Sequence, residues 1–160
     1  MLAATLICLI VGISDGDTLT ARCPTQDTSS AYQQIKVRLQ GIDAPERRQP
    51  LGTQARMALS DLAYMKEAEL HCNKIDSYQR HVCSVWVKPN EAPGPNRTLD
   101  VGLAMVTMGM AWWYQHFSHE QSIQERGQYE FAEQEARARR LGVWSTPSPT
   151  APWDWRKSKQ

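Results

Sequence analysis

Thr5-Leu6-Ile7-Cys8-Leu9-Ile10-Val11-Gly12-Ile13-Ser14-Asp15-Gly16-Asp17-Thr18-Leu19-Thr20-Ala21-Arg22-Cys23 decides the fold. A long apolar run meets an Asp-Gly turn signal and re-emerges as a second β-rich segment, the pattern of an antiparallel hairpin. Thr5–Ser14 reads as the first strand and Thr18–Cys23 as the second, joined at Asp15-Gly16. The apolar run has no Lys or Arg before Arg22 and no small-residue cleavage site after it, so it lacks the marks of a secretion signal. It is also too short to cross a bilayer. We therefore expect a mature chain from which the signal peptide is absent.

The cysteines extend this picture. There are four, at positions 8, 23, 72 and 83. Cys8 and Cys23 stand symmetrically about Asp15-Gly16, and Cys72 and Cys83 about Ser77-Tyr78. Paired positions of an antiparallel hairpin lie within disulfide reach. The expectation is two bonds, Cys8–Cys23 and Cys72–Cys83, and an oxidising compartment: the periplasm or the exterior of a bacterium. Zinc is disfavoured, because His71 and Cys72 are strand neighbours and point to opposite faces.

Further along, Gln34–Leu39 alternates, with Ile35, Val37 and Leu39 on one face and Lys36 and Arg38 on the other. Pro24–Tyr32 is polar and reads as a loop. Pro45 and Pro50 forbid regular pairing across Ala44–Leu51. Thr53–Met65 is expected to be helical, with Thr53 as N-cap and Ala55, Ala58, Leu59, Leu62 and Met65 as its apolar stripe. Glu69–Lys74 and His81–Val87 read as a second hairpin. Asp100–Met108 is a short helix closed by Gly109. Ser118, with Gln121 three residues later, is expected to cap a long helix that runs to about Arg140 and ends at Gly142. A Pro-rich tail follows, ending in Trp153-Asp154-Trp155-Arg156, whose tryptophans anchor it to the body.

Strands with one helix inserted after the third, followed by helices, predict an α+β fold: a five-stranded OB-type Greek-key barrel with three α-helices. At 160 residues and 41% hydrophobic, the chain has room for a single core and is too apolar to remain disordered. Residues 1–160 are expected to form one domain, with a core over 1–144 and a tail over 145–160 packed on it. A formal net charge of +1 excludes a strong bulk field for nucleic acid, so such contacts must rest on local arginines.

The chemistry-bearing residues cluster at the turns. Asp17 and Asp43 sit at turn–strand junctions where backbone carbonyls are also available, and hard cations such as Ca²⁺ take carboxylate, carbonyl and water oxygens together. With the Ala44 carbonyl they make a sparse ligand set, expected to bind in the ~10⁻⁴–10⁻³ M range of extracellular sites. Taken singly, an Asp in a turn serves the turn, and Asp15 is assigned that role. Arg38 and Arg80 can grip a phosphate through their guanidinium forks, or can be solvated strand residues. Glu46, stiffly presented after Pro45, can orient or deprotonate a water, or can pair with Arg47. Tyr78 can bond a phosphate, stack on a base, or simply build its turn.

Asp15-Gly16-Asp17-Thr18, Val37-Arg38-Leu39, Gly41-Ile42-Asp43-Ala44-Pro45-Glu46, Asp76-x-Tyr78-x-Arg80, Gly109-Met110-Ala111, Ser118-His119-Glu120-Gln121 and Val143-Trp144-Ser145 occur in one order across nearly the whole chain. In this the chain resembles the staphylococcal nuclease (thermonuclease) family, and its closing Pro152-Trp153-Asp154-Trp155-Arg156 is similar to the tail of exported bacterial members. The resemblance implies Ca²⁺-dependent endonucleolytic and exonucleolytic cleavage of DNA and RNA, single-stranded or frayed, leaving 3′-phosphates. It implies that Asp17, Asp43 and the Ala44 carbonyl hold Ca²⁺, that Arg38 and Arg80 hold the scissile phosphate, that Glu46 handles the water, and that Tyr78 lies near the terminal phosphate. Neither a membrane nor an obligate protein partner is expected. The chain departs from the pattern at Gln79, where the family carries Gly. Gln115 stands where a base-contacting tyrosine is common, so Tyr114 or Phe117 is expected to stack on a base instead. Two rival functions remain: a non-catalytic OB-fold domain that binds nucleic acid, and a disulfide-stabilised OB domain that binds protein.

Overall fold

The computed structural model describes residues 4–25 and 31–160. In chain order the elements are β1 (Ala4–Asp15), β2 (Thr18–Pro24), β3 (Tyr32–Leu39), β4 (Ile42–Asp43), α1 (Gly52–Ala63), β5 (Glu67–Ile75), β6 (His81–Val87), β7 (Leu99–Asp100), α2 (Val101–Thr107), β8 (Trp112–Trp113), α3 (Ile123–Ala138) and α4 (Pro152–Ser158). Short 3₁₀ segments cover Gln115–Glu120 and Gly142–Ser145. Residues 26–30, inside the stretch expected to be a loop, lie outside the described residues.

The strands run β3-β2-β1-β5-β6-β7, and a parallel pairing of β3 with β6 closes five of them into a barrel. Alternation in the sequence becomes inside and outside here. Ile10, Leu19, Val37, Leu39, Leu70, Val85 and Val87 are buried, and Leu59 of α1 with Val101, Met105 and Val106 of α2 joins the same core. Each such side chain contributes roughly 1.5–3 kcal/mol on burial.

Both expected disulfides are present. Cys8 and Cys23 have Cα atoms 4.4 Å apart, and Cys72 and Cys83, directly paired on β5 and β6, have theirs 4.0 Å apart. The first hairpin reaches this arrangement by an unexpected route. Asp15 pairs with Thr18, so the connection is Gly16-Asp17, one residue later than the cysteine symmetry implies. Two register shifts along β1, between Ile10 and Gly12 and between Ile13 and Asp15, restore the facing positions at the cysteines.

Four local expectations are corrected. Helix α1 starts at Gly52 with Leu51, not Thr53, at its N-cap; Leu51 is left-handed (φ 69°) and gives no side-chain cap. The helix ends at Ala63, and Met65 is exposed, outside the apolar stripe. The long helix α3 is capped by Ser122, not Ser118: Ser122 Oγ accepts from Glu125 N–H, and the Glu125 carboxylate accepts from Ser122 N–H. The earlier candidate fails because the Gln121 side chain is spent elsewhere, accepting the Trp113 indole N–H at 2.9 Å. Finally, the end of the tail is helical, with Pro152 in its first turn, which gives four α-helices among the described residues where three were expected.

Gly16 fixes the first hairpin against the rest of the fold. A Cβ added there would lie 2.7 Å from Ala44 Cβ and 2.8 Å from Ala55 Cβ, so only glycine lets the β1–β2 turn meet the β4 turn and α1. Replacing Gly16 with Ala is expected to lower the unfolding free energy by about 1–3 kcal/mol, as overpacking of a closed core does. Urea denaturation checks it, and an unchanged midpoint would contradict the contact.

Candidate active site

The β1–β2 turn, the β4 turn, the β5–β6 turn and α4 converge on one open cavity of about 480 Å³. Asp15, Asp17, Arg38, Asp43, Glu46, Tyr78, Arg80, Tyr114, Phe117 and Arg156 all line it.

Asp17 is locked on every side. Its Oδ2 accepts the Ala44 N–H at 2.8 Å and its Oδ1 the Thr18 hydroxyl at 3.0 Å, while its own N–H donates to Asp15 Oδ1 at 3.2 Å. Its carbonyl accepts the Leu39 N–H at 2.9 Å, tying the turn to β3. Burial pushes the Asp17 carboxyl up, but the Arg38 charge and these hydrogen bonds outweigh it and hold the group below its usual value.

Asp43 is fully buried on β4, where it pairs with Trp112 of β8. That strand is itself fixed by the Trp113 N–H, which donates to Glu133 Oε2 at 2.8 Å. Burial raises the Asp43 carboxyl to about 6 against the pull of Arg156 and Arg38. Asp15 rises further, to about 7, through burial and the neighbouring Asp17 charge. Asp15 therefore does more than form the turn, since its carboxyl belongs to the cavity.

The arginines are held differently. Arg38 Nη1 donates to the carbonyls of Leu39 (3.1 Å) and Ile42 (2.8 Å), and its Nη2 lies 3.3 Å from Asp43 Oδ1 and 3.6 Å from Asp17 Oδ2. Arg80 gives its Nε to Asp76 Oδ2 at 2.8 Å, and its guanidinium lies 5.1 Å from the Tyr78 ring centroid. Among the described residues, the Arg80 Nη nitrogens have no protein acceptor. Asp76 builds this turn, with Oδ1 accepting the N–H groups of Tyr78 (2.9 Å) and Arg80 (3.0 Å). Burial pushes its carboxyl up, but those bonds and the Arg80 charge together outweigh it and hold the group below its usual value. Gln79 is left-handed there (φ 64°), the conformation a glycine adopts without strain. Gln79 holds this conformation at a steric cost of ~1–2 kcal/mol.

Glu46 does not pair with Arg47, which donates instead to the Ser14 carbonyl. Its N–H donates to Gln49 Oε1 at 3.0 Å and its carboxylate accepts Arg156 Nη1 at 2.6 Å. A Cβ at position 52 would lie 1.9 Å from the Glu46 carbonyl oxygen, so Gly52 is what lets this loop fold back on the start of α1. Ala44 is buried and contributes its N–H to Asp17.

Among the aromatics, Tyr78 is 78% exposed at the rim. Tyr114 is stacked on Trp153 of α4, with centroids 5.2 Å apart and planes 7° apart, and meets Phe117 edge-on at 5.0 Å. One face of Tyr114 is therefore taken by the protein's own tryptophan.

Sequence reasoning missed Arg156. Its fork spans both oxygens of Asp43, at 3.1 Å and 2.7 Å, and reaches Glu46 as well. The available signal was Pro152 followed by a short Trp- and Arg-bearing segment, which marks a helix start but not its destination.

The donor set can be tested against a divalent cation. Among the described residues no three Asp, Glu, His or Cys side chains converge as a ready-made ligand group. Yet the cavity sets Asp15, Asp17, Asp43, Glu46, Asp76 and Glu120 against Arg38, Lys74, Arg80 and Arg156, an acid surplus, and burial, with the Asp17 charge adding to it, holds Asp15 and Asp43 high. An oxygen-rich, negatively surplus site suits a hard dication. Asp17 and Asp43, with nearby carbonyls and water, are the groups that would hold it.

Residues 36–146 match the family described as staphylococcal nuclease homologue. The chain belongs to the staphylococcal nuclease family. It is 36% identical over 151 residues to a micrococcal nuclease of Shigella flexneri, covering 94% of this chain and 80% of that protein. It is 37% identical over 153 residues to an uncharacterized endonuclease of Haemophilus influenzae, covering 96% and 74%. A probable staphylococcal-like nuclease of Oryza sativa is 29% identical over 134 residues, 84% of this chain and 32% of the plant protein. As a staphylococcal nuclease homologue the chain is a nuclease, a hydrolase of phosphodiester bonds.

Raised carboxyls set the pH dependence of this nuclease without metal. A folded-state value above the ordinary 3.8 means that the native state binds more protons than the unfolded state between the two values. The stability from Asp15 and Asp43 is therefore complete below about pH 4 and is lost as pH rises through about 6 and 7. Asp15→Asn keeps an acceptor for the Asp17 N–H and removes one of the two. In chelator-containing buffer its stability relative to wild type should rise between about pH 4 and 7.5. A pH-independent difference in urea midpoints would contradict the shift.

Proposed function

We propose that this chain is a Ca²⁺-dependent nuclease that cuts DNA and RNA, single-stranded or frayed, both internally and from ends, leaving 3′-phosphates. The observation that carries the proposal is the convergence of Asp17, Asp43 and Glu46 with Arg38 and Arg80 on one cavity, although they come from three segments separated in sequence, at residue 17, over residues 38–46 and at residue 80.

Asp17, Asp43 and the Ala44 carbonyl are the groups assigned to Ca²⁺. When bound, the ion would supply positive charge against the phosphate and orient the reacting oxygens. The protein's own residues carry the other roles. Arg38, fixed by two carbonyls and two carboxylates, presents a preorganised cation, and such groups need no rearrangement as charge develops. Arg80 brings free Nη donors for phosphate oxygens. As the water oxygen bonds to phosphorus and the P–O5′ bond breaks, Glu46 accepts the proton that the water gives up, and O5′ takes a proton from solvent water to leave as a hydroxyl. Tyr78 lies beside Arg80, in position for a terminal phosphate. Tyr114 and Phe117 form the aromatic wall against which a base would rest.

Two disulfides support an oxidising location, the periplasm or the exterior. Among the described residues, no helix is long and apolar enough to cross a membrane. Residues 1–160 act as one nuclease unit, with the tail part of the site and not an appendage.

Nicking of a plasmid and cleavage of a single-stranded oligonucleotide should appear with millimolar Ca²⁺ and vanish with EGTA. Arg38→Ala and Arg80→Ala are each expected to lower turnover by roughly 10³-fold or more, and Glu46→Ala by about 10²–10⁴-fold, with unchanged circular dichroism. Metal-independent cutting would refute the Ca²⁺ assignment. Binding without any cutting would identify a non-catalytic nucleic-acid-binding domain instead.

A further inference from the structure

We infer that Arg156 is an internal counter-cation that exchanges partners: it holds Asp43 and Glu46 in the free protein and moves to the phosphodiester when the divalent ion takes Asp43, which leaves Glu46 free. The inference rests on the metal-dependent function proposed above.

The geometry makes the two cations rivals. Arg156 Nη2 donates to Asp43 Oδ2 at 2.7 Å and Nη1 to Asp43 Oδ1 at 3.1 Å, so both oxygens of the buried acid are engaged. Arg38 Nη2 shares Oδ1 at 3.3 Å. The same Arg156 Nη1 also takes Glu46 Oε1 at 2.6 Å. A dication approaching Asp43 would meet a guanidinium already seated on each oxygen, and like charges that close repel. Arg156 must therefore withdraw for the ion to bind directly, and Glu46 is freed by the same movement.

The anchoring of Arg156 suits an exchange. Its side chain is 40% exposed, whereas the Arg38 side chain is 14% exposed and pinned to two backbone carbonyls. The helix that carries it is fixed independently of the carboxylates. Trp153 stacks on Tyr114, Pro152 is buried, and Gln49 Nε2 donates to the Thr150 carbonyl at 2.6 Å. Gln49 also receives the Glu46 N–H, so one side chain ties the tail to the loop of its ion partner. On release the guanidinium stays over the cavity, beside the place where a phosphate would lie, and its fork matches two phosphate oxygens. Arg156 is thus a third arginine of the site, masked until the ion arrives.

The test separates exchange from a merely structural role, which would weaken both ligands together. Trp155 directly precedes Arg156 and Trp153 lies three residues before it on the same helix, so intrinsic fluorescence reports a Ca²⁺ titration of the intact protein without turnover. Arg156→Gln is expected to bind Ca²⁺ roughly fivefold or more tightly than wild type, the scale of an ordinary coupling between competing ligands. At saturating Ca²⁺ its KM for a single-stranded oligonucleotide should rise by a similar factor, with a smaller change in kcat. Arg156→Lys, which keeps the charge without the fork, should fall between the two on both measures. Ca²⁺ affinity in Arg156→Gln no higher than wild type, or an unchanged KM, overturns the inference while leaving the nuclease assignment intact. Failure of the wild type itself to respond to Ca²⁺ overturns the metal assignment and the exchange together.

Discussion

The hydrogen bond from the Ala44 N–H to Asp17 Oδ2, 2.8 Å long and buried, joins two turns that are 27 residues apart. The rest of the site depends on it. It is possible only because Gly16 lets the first turn press against Ala44 and α1, and because Asp17 leans on β3 through the Leu39 N–H. Once the two turns are joined, Asp17 and Asp43 have no choice but to share a cavity, and Arg38 is drawn in to offset them. A buried unpaired carboxylate is costly, so each acid brought in demands a partner. The arginines of the site are thus structural counter-ions before they are anything else.

That balance is incomplete, and the shortfall gives the site its character. Asp43 and Asp15 are pushed well above the usual carboxylate range, chiefly by burial, even with Arg38 and Arg156 close by. A protein selected only for stability would replace such a cluster with apolar side chains at little cost. Its retention around an open cavity, in a chain that belongs to the staphylococcal nuclease family, fits a role in handling a cation and a phosphate. The charged groups of the cavity are carried by short turns, and the hairpins behind two of those turns are braced by disulfides.

Much of this was legible in the sequence, for identifiable reasons. The barrel follows from alternation and turn residues, and the disulfides follow from hairpin symmetry, even though two register shifts move the actual turn to Gly16-Asp17. Asp17, Arg38, Asp43, Glu46 and Arg80 were legible because they lie beside the turns that present them. The failures are equally local. Ser118 and Ser122 each stand three residues before a Gln or Glu, and only tertiary structure chooses between them. Gln121 is buried and committed to Trp113, while Glu125 is free to close the box and also complements the helix dipole. Leu51 replaces Thr53 at the start of α1 because the Glu46 loop folds back over Gly52. Arg156 was out of reach, since its partners lie 110 and 113 residues away and no local pattern encodes a contact closed over that distance.

If the two joined turns form one cation-and-phosphate site, a crystal of the protein soaked with Ca²⁺ and a nucleoside 3′,5′-bisphosphate will show anomalous density for the ion between Asp17 and Asp43, with the 5′-phosphate on Arg38 and Arg80. An ion bound away from those carboxylates, or a phosphate bound elsewhere on the barrel with the cavity empty, would mean that the joined turns are not that site.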